Sequence, residues 1–339
     1  MHRRSFVGAL GTLGLAGLGA RVLPAQAAAS PVLRFATVVP SGSGFYQRLQ
    51  ALSAEWQKGP GGVRMDLYAG TQGGEGQIVR RLRVGQIQGA MLTADGLAEI
   101  EPGITALQFM PLMFRSWEEV DYARDAVKPE LEASFAKAGY VVLVWGDAGW
   151  VRFFSKKPIT GIKDLKSMRV YTSTASTATN ELLKAYYTPV AMDPDKILLS
   201  LRNGMIDGLP APASFANFTQ VATQAPYMLD MRWAPVTGAL IVSRRAWDAL
   251  DAPTRDWIRA TCDKAGPGIR QAARAEDDAA VKAMQEKQGL KVTTLSPEAE
   301  AEWRAIVVKE YPSLRGKVVP AQTFDKVSKA VQEYRARNK

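Results

Sequence analysis

A chain of 339 residues, 47% of them hydrophobic, is long enough for two lobes with a core each. Beyond its N-terminal stretch it has no run of about 18 apolar residues able to cross a bilayer. The formal charge of +10 falls to about +7 without Arg3, Arg4 and Arg21, and the remaining Lys and Arg are dispersed, which argues against nucleic acid as a partner.

Residues 1–28 begin Met1-His2-Arg3-Arg4-Ser5-Phe6, continue through a Gly/Ala/Leu stretch and end Pro24-Ala25-Gln26-Ala27-Ala28. A basic head, an apolar middle and an A-x-A ending make a cleavable export signal. The paired arginines resemble a twin-arginine signal, with cleavage expected near Ala27 or Ala28 and a periplasmic product. The apolar middle is short and broken by glycine, which disfavours an uncleaved anchor. Residues 32–38 then read as a buried strand, 44–58 as a helix ending at a Gly/Pro cluster, and 63–67 as a second strand. The glycines around Glu75 lack both the P-loop and the dinucleotide fingerprint, so they read as a tight turn before a helix over 77–84. Glu75 falls in the first turn, where the helix dipole favours negative charge. Strands are expected over 89–93, 140–145 and 237–242. Helices are expected over 177–186, 195–203 and 251–264, with charged helical segments from Glu276 to the end. Alternating strands and helices predict an α/β chain with mainly parallel sheets.

Histidine and cysteine usage restricts the chemistry. The only histidine is His2, in the expected signal, which leaves no His-based triad, metal site or acid–base group. The only cysteine, Cys262, permits no internal disulfide and reads as a small buried residue. No spacing of Asp, Glu, Lys or Tyr singles out a catalytic pair. The chain therefore reads as a non-enzyme with no cofactor and no metal; an esterase or lyase would need turnover that depends on Glu75 or Tyr171.

Residues 149–173 read GWVRFFSKKPITGIKDLKSMRVYTS and residues 198–212 read LLSLRNGMIDGLPAP. These strings resemble the G-x-R-x-x-x-x-x-K-P-I, D-L-K-G-[LM]-[KR]-[IV]-R and D-G-Q-E-N-P patterns of the extracytoplasmic solute-binding proteins of TRAP transporters, which usually capture organic acids. Residues 107–115 (LQFMPLMFR) are similar to the family's P-F-L-F segment. The resemblance spans nearly the whole chain after the signal. It implies a two-lobed periplasmic binding protein fold, with a mixed, mainly parallel sheet in each lobe and a ligand cleft between them. Lobe one is expected over 29–148 and 237–276, and lobe two over 149–236 and 277–339. The implied partners are a small-molecule ligand and integral membrane transporter subunits, with the protein itself a monomer.

The resemblance also implies a departure. In register, Val151 stands at the family's first arginine, Tyr171 at its second and Ala211 at its asparagine. Arg152 is one residue off its pattern position, which on a strand means the opposite face. Arg169 is two residues from Tyr171 and so can share its face. Glu75 falls on an acidic cleft-facing position, Val38 on a first-strand contact and Thr93 at a strand end facing the cleft. With Trp150, Phe215 and Trp233, the expected ligand-binding set is Tyr171, Trp150, Val151, Glu75, Val38, Thr93, Ala211, Phe215, Trp233 and Arg169. A cleft without an arginine clamp suits a neutral, aromatic or lipid-like ligand. The alternative is ordinary carboxylate binding through Arg169 or Arg152, since one guanidinium can grip a carboxylate with two hydrogen bonds. A third reading is an accessory protein that binds a protein partner. Leu209 and Pro210 replace the pattern's Gln-Glu pair, which argues against a bound cation.

Overall fold

A computed structural model of the chain describes residues 30–70, 73–174, 180 and 183–338. The export signal expected over 1–28 and part of the helix expected over 177–186 lie outside the described residues. The chain runs β1 (Val32–Thr37), α1 (Gly44–Gln57), β2 (Arg64–Ala69), α2 (Glu75–Arg83), β3 (Gly89–Thr93) and α3 (Ala94–Leu97). It continues α4 (Trp117–Lys137), β4 (Tyr140–Trp150), β5 (Arg152–Ser155), α5 (Ile162–Lys166), β6 (Arg169–Thr172) and β7 (Thr188–Ala191). Next come α6 (Ile197–Arg202), β8 (Gly208–Ala211), α7 (Ala213–Phe218), β9 (Tyr227–Leu229) and β10 (Pro235–Ser243). The rest is α8 (Arg244–Asp248), α9 (Ala252–Gln288), β11 (Lys291–Thr293), α10 (Pro297–Leu314) and α11 (Ala321–Arg337).

The strands form two mixed sheets, ordered β2-β1-β3-β10-β4 and β11-β9-β5-β8-β6-β7. Both are covered on both faces, which is why their central strands read as unbroken apolar runs. In β10, Leu240 and Val242 join the core on one side of the first sheet while Ala239 and Ile241 join the core on the other. In β5, Phe153 and Phe154 divide in the same way between the two cores of the second sheet. Polar residues fix where helices begin: the Ser43, Ser116, Asp251 and Ser296 side chains accept the backbone N–H of Tyr46, Glu119, Thr254 and Ala299.

Four segments cross between the sheets. The β4–β5 crossing pairs with the β9–β10 crossing: Val151 N–H donates to Ala234 O at 2.8 Å and Trp233 N–H to Val151 O at 3.0 Å. The third crossing is α9, which extends to Gln288 rather than ending near residue 264. Its interior Pro267 does not break it, because its apolar stripe runs on through Ile269, Ala273, Ala280 and Met284, all buried. Ile258 and Cys262 pack on the first sheet, Ala280 and Met284 on the second. Gly289, at φ +71°, ends the helix.

The fourth crossing corrects the expected lobe division. Helix α10 buries Trp303 and Val307 in the second sheet's core, but α11 returns to lobe one, where Phe324, Val327 and Val331 join the first sheet's core. Arg335 there binds Glu119 of α4 at 2.7 Å. Periodicity shows that residues 321–337 are an amphipathic helix but not which sheet covers its apolar face.

Candidate ligand-binding cleft

Strand ends of both sheets face a gap between the lobes, the usual place for a ligand in open α/β sheets. Two adjoining chambers occupy it, of about 270 Å³ and 230 Å³. The first lies between the ends of β1, β3, β4 and β10 and the segment from β8 to α7; Val38, Phe45, Leu92, Ala211 and Phe215 make much of its apolar wall. The second is bounded by Phe109, Val151, Leu183, Tyr186, Tyr187 and Trp233. Tyr186 meets the Trp233 ring edge-on at 5.2 Å, and Phe153 braces Trp233 from behind at 5.5 Å.

Four carboxylates line the first chamber: Glu75, Asp95, Asp147 and Glu276. Two are matched by arginine. Asp147 is held by Arg124 and by Arg274, the latter at 2.6 Å, and Glu276 by Arg48 at 2.8 Å. Glu75 and Asp95 have no ion-pair partner among the described residues. Glu75, only 7% exposed, accepts from Thr93 N–H (2.8 Å), Thr93 Oγ1–H (2.7 Å) and Gly96 N–H (2.7 Å). It thereby ties the start of α2 to the β3–α3 junction. Burial, reinforced by the charge of Asp95, raises its pKa to about 7, although the hydrogen bonds from Thr93 and Gly96 oppose the shift. Burial likewise raises Asp95, whose carboxylate accepts from the Ser173 side chain. Tyr171 is held protonated by burial and by the negative charges of Asp95, Glu75 and Asp193.

Most of the residues named from the sequence meet here. Val38, Glu75, Thr93, Tyr171, Ala211 and Phe215 line the first chamber; Thr93, Val151, Tyr171 and Trp233 line the second. Trp150 does not: it is fully buried, packed at a tilt against Trp117 with ring centroids 4.7 Å apart, with the Arg232 guanidinium over its ring. Arg169 lies outside both chambers, bound to the Asp207 carboxylate at 2.9 and 3.0 Å. It shares the side-chain parity of Tyr171 but sits two residues, or about 6.6 Å, farther from the strand end that faces the cleft. Arg152 points away from Val151, as strand alternation requires, and binds Asp277 at 2.8 Å while only 4% exposed. Among the described residues no Lys or Arg lines either chamber.

The sequence reading did not pick out Asp95, Ser173, Tyr186 or Tyr187. Asp95 had a local signal, an acid two residues beyond a strand end at the start of a short helix. The tyrosines had none, since nothing local separates an aromatic that lines a cavity from one in a core.

Residues 35–316 match the family model for bacterial extracellular solute-binding protein, family 7 (DctP). The chain is 23% identical over 322 residues to the C4-dicarboxylate-binding periplasmic protein DctP of Rhodobacter capsulatus, covering 92% of this chain and 94% of that protein. It is 27% identical over 158 residues to the uncharacterized protein YiiZ of Salmonella typhimurium; that match spans 45% of this chain and about half (47%) of YiiZ. In fold it is similar to the sugar acid binding protein DctPAm of Advenella mimigardefordensis in complex with galactonate (TM-score 0.83, 18% identity, 90% of this chain and 99% of that one). It is also similar to a TRAP periplasmic solute binding protein of Shewanella oneidensis with bound succinate (TM-score 0.82, 16% identity, 89% and 100%).

Proposed function

The chain belongs to the bacterial extracellular solute-binding protein family 7 (DctP), the extracytoplasmic solute-binding proteins of TRAP transporters, and from that premise we infer that it captures a neutral, largely apolar small molecule between its lobes for membrane transporter subunits. The observation that carries the ligand class is the absence of any lysine or arginine from either chamber among the described residues, while Glu75 and Asp95 stand there without a cation. Residues 71–72, 175–179 and 181–182, outside the described residues, include no Lys or Arg in sequence. A ligand carboxylate would lose its hydration with no opposite charge to replace it, and truncating one partner of a buried ion pair typically costs about 3–5 kcal/mol. The positions where the family pattern has its arginines and asparagine hold Val151, Tyr171 and Ala211 here, and all three line the chambers.

The second reading is ordinary organic-acid capture, which the comparisons support better than the first: the similar structures hold galactonate and succinate. It requires Arg152 to leave Asp277 or Arg169 to leave Asp207, or uncharged donors to hold the acid. Native mass spectrometry of the protein purified from its source, with extraction and identification of whatever is retained, separates the two. A retained neutral molecule is expected; a retained carboxylate whose binding is lost in Arg152→Ala or Arg169→Ala overturns the leading reading. The same spectrum tests the expected cleavage of the export signal: a chain beginning just after Ala27 or Ala28 is expected.

A further inference from the structure

We propose that the two chambers are one ligand site with a polar waist, filled by an extended molecule whose apolar arms occupy both chambers and whose central carboxamide gives its N–H to Asp95 and takes the Tyr171 hydroxyl. This rests on the neutral-ligand reading above and names the ligand class for that same cleft.

Three observations carry it. The chambers adjoin, sharing Thr93, Asp95, Tyr171, Ser173, Pro210 and Val236 in their linings. Each chamber alone is smaller than the roughly 300–1,000 Å³ usual for small-molecule sites, whereas the two together fall within it. The polar groups at the waist are also complementary in kind. A carboxylate is an acceptor with about four lone-pair sites, and among the described residues the Asp95 carboxylate has the Ser173 side chain beside it and no ion-paired cation. Glu75 beside it is already committed to Thr93 and Gly96, so Asp95 is the acid left to receive a ligand donor. Tyr171 keeps its proton under the charge of Asp95 and so acts as a donor.

An N–H donor next to a carbonyl acceptor answers both groups at once. A carboxylate presented at the same place meets the like charge of Asp95, and an ester leaves Asp95 without its partner. Beyond the waist, Phe45 and Phe215 in one chamber and Trp233 and Tyr186 in the other supply aromatic surface for the arms.

The test uses a matched probe series: N-benzyl-2-phenylacetamide, the ester benzyl phenylacetate, the one-armed phenylacetamide, and 2-benzyl-3-phenylpropanoate as the two-armed acid. Affinities are read by calorimetry on wild type and Asp95→Ala. The two-armed amide is expected to bind wild type at least about fivefold more tightly than the ester, since a buried acceptor left unpaired costs one to three kcal/mol, or roughly 5- to 150-fold. Asp95→Ala should bring the amide-to-ester ratio close to one, because it removes the acceptor that the amide pairs and the ester leaves unpaired. The one-armed amide should bind at least about tenfold more weakly than the two-armed one, having lost a buried aromatic arm. An unchanged amide-to-ester ratio in Asp95→Ala overturns the Asp95 contact. Equal affinity of the one- and two-armed amides overturns the joined chambers, and a series that binds nowhere overturns the whole proposal. If only the two-armed acid binds, the neutral-ligand reading itself fails, an outcome distinct from the others.

Discussion

Glu75 is the residue through which the cleft acquires a pH dependence. Its carboxyl titrates near 7 in the folded chain, against an ordinary value of 4.5, because burial disfavours its charge. Between those values the folded state binds more protons than the unfolded state, so stability is greatest below pH 4.5 and falls as pH rises toward 7. Up to ~3 kcal/mol is at stake, since each tenfold change in proton affinity is worth about 1.4 kcal/mol. His2 is the only histidine in the chain, so no imidazole among the described residues titrates in that window. Urea unfolding from pH 5 to 7 should show the decline, and Glu75→Gln should flatten most of it while lowering stability overall, since one amide oxygen cannot replace both carboxylate oxygens that hold Thr93 and Gly96. Asp95 is raised by burial in the same direction. At Tyr171 the same chemistry bears on the ligand. Tyr171→Phe keeps the ring and removes the donor, so affinity for the retained ligand should fall about tenfold, and Tyr171→Ala should weaken it further by removing the ring as well. Unchanged affinity in both variants would remove Tyr171 from the site.

Where β4 passes into β5, one buried acid ties together elements of both lobes. Asp277 of α9, 1% exposed, accepts from Trp150 N–H at 3.1 Å, from Arg152 Nη1 at 2.8 Å and from Ser214 N–H of α7 at 3.0 Å. Its approach depends on Gly149, whose φ of +119° lies in the left-handed half of backbone space and where any Cβ would collide with the Asp277 carboxylate. Gly149→Ala should therefore destabilise the protein by about 2–4 kcal/mol, combining backbone strain with displacement of a buried acid. Asp277→Ala leaves Arg152 with two longer contacts, to Asp230 at 3.9 Å and Asp278 at 3.5 Å, and should cost about 3–5 kcal/mol. Denaturant midpoints of the two variants check both figures. The sequence pattern around Gly149 marked a crossing between lobes, but the partner that makes this glycine necessary lies 128 residues away.

Over the whole molecule, the two lobes share helices as well as strands. Because α9 packs on both sheets and α11 completes the first sheet's core from the far end of the chain, the lobes should unfold in one transition. Ending the chain at Pro320 would uncover the face built from Phe324, Val327 and Val331. At about 25 cal/mol per Å² of apolar surface, three such side chains represent at least ~5 kcal/mol. Hydrogen exchange in the truncated protein should show protection lost first in α4 and the 102–107 turn, which pack on α11, and only later in the second sheet. Equal loss in both lobes would mean that α11 acts on the molecule as a whole.

The sequence by itself determined the five strands of the first sheet, helices such as 44–58 and 195–203, the crossing near Gly149 and the opposite orientations of Val151 and Arg152, because these follow from periodicity and alternation over a few residues. It also marked Tyr171, Val151 and Ala211 as positions to watch, through a gap-free match to a known pattern. What local pattern could not decide were choices between distant partners: α9 running through Pro267, α11 returning to the first lobe, Trp150 packing on Trp117 instead of facing the cleft, and Arg169 and Arg152 being taken by Asp207 and Asp277. An arginine's availability is set by which carboxylate reaches it, and a tyrosine's role by whether a cavity or a neighbour lies against it. Those are properties of long-range packing, so Tyr186 and Tyr187 came into view only when the two sheets were brought face to face.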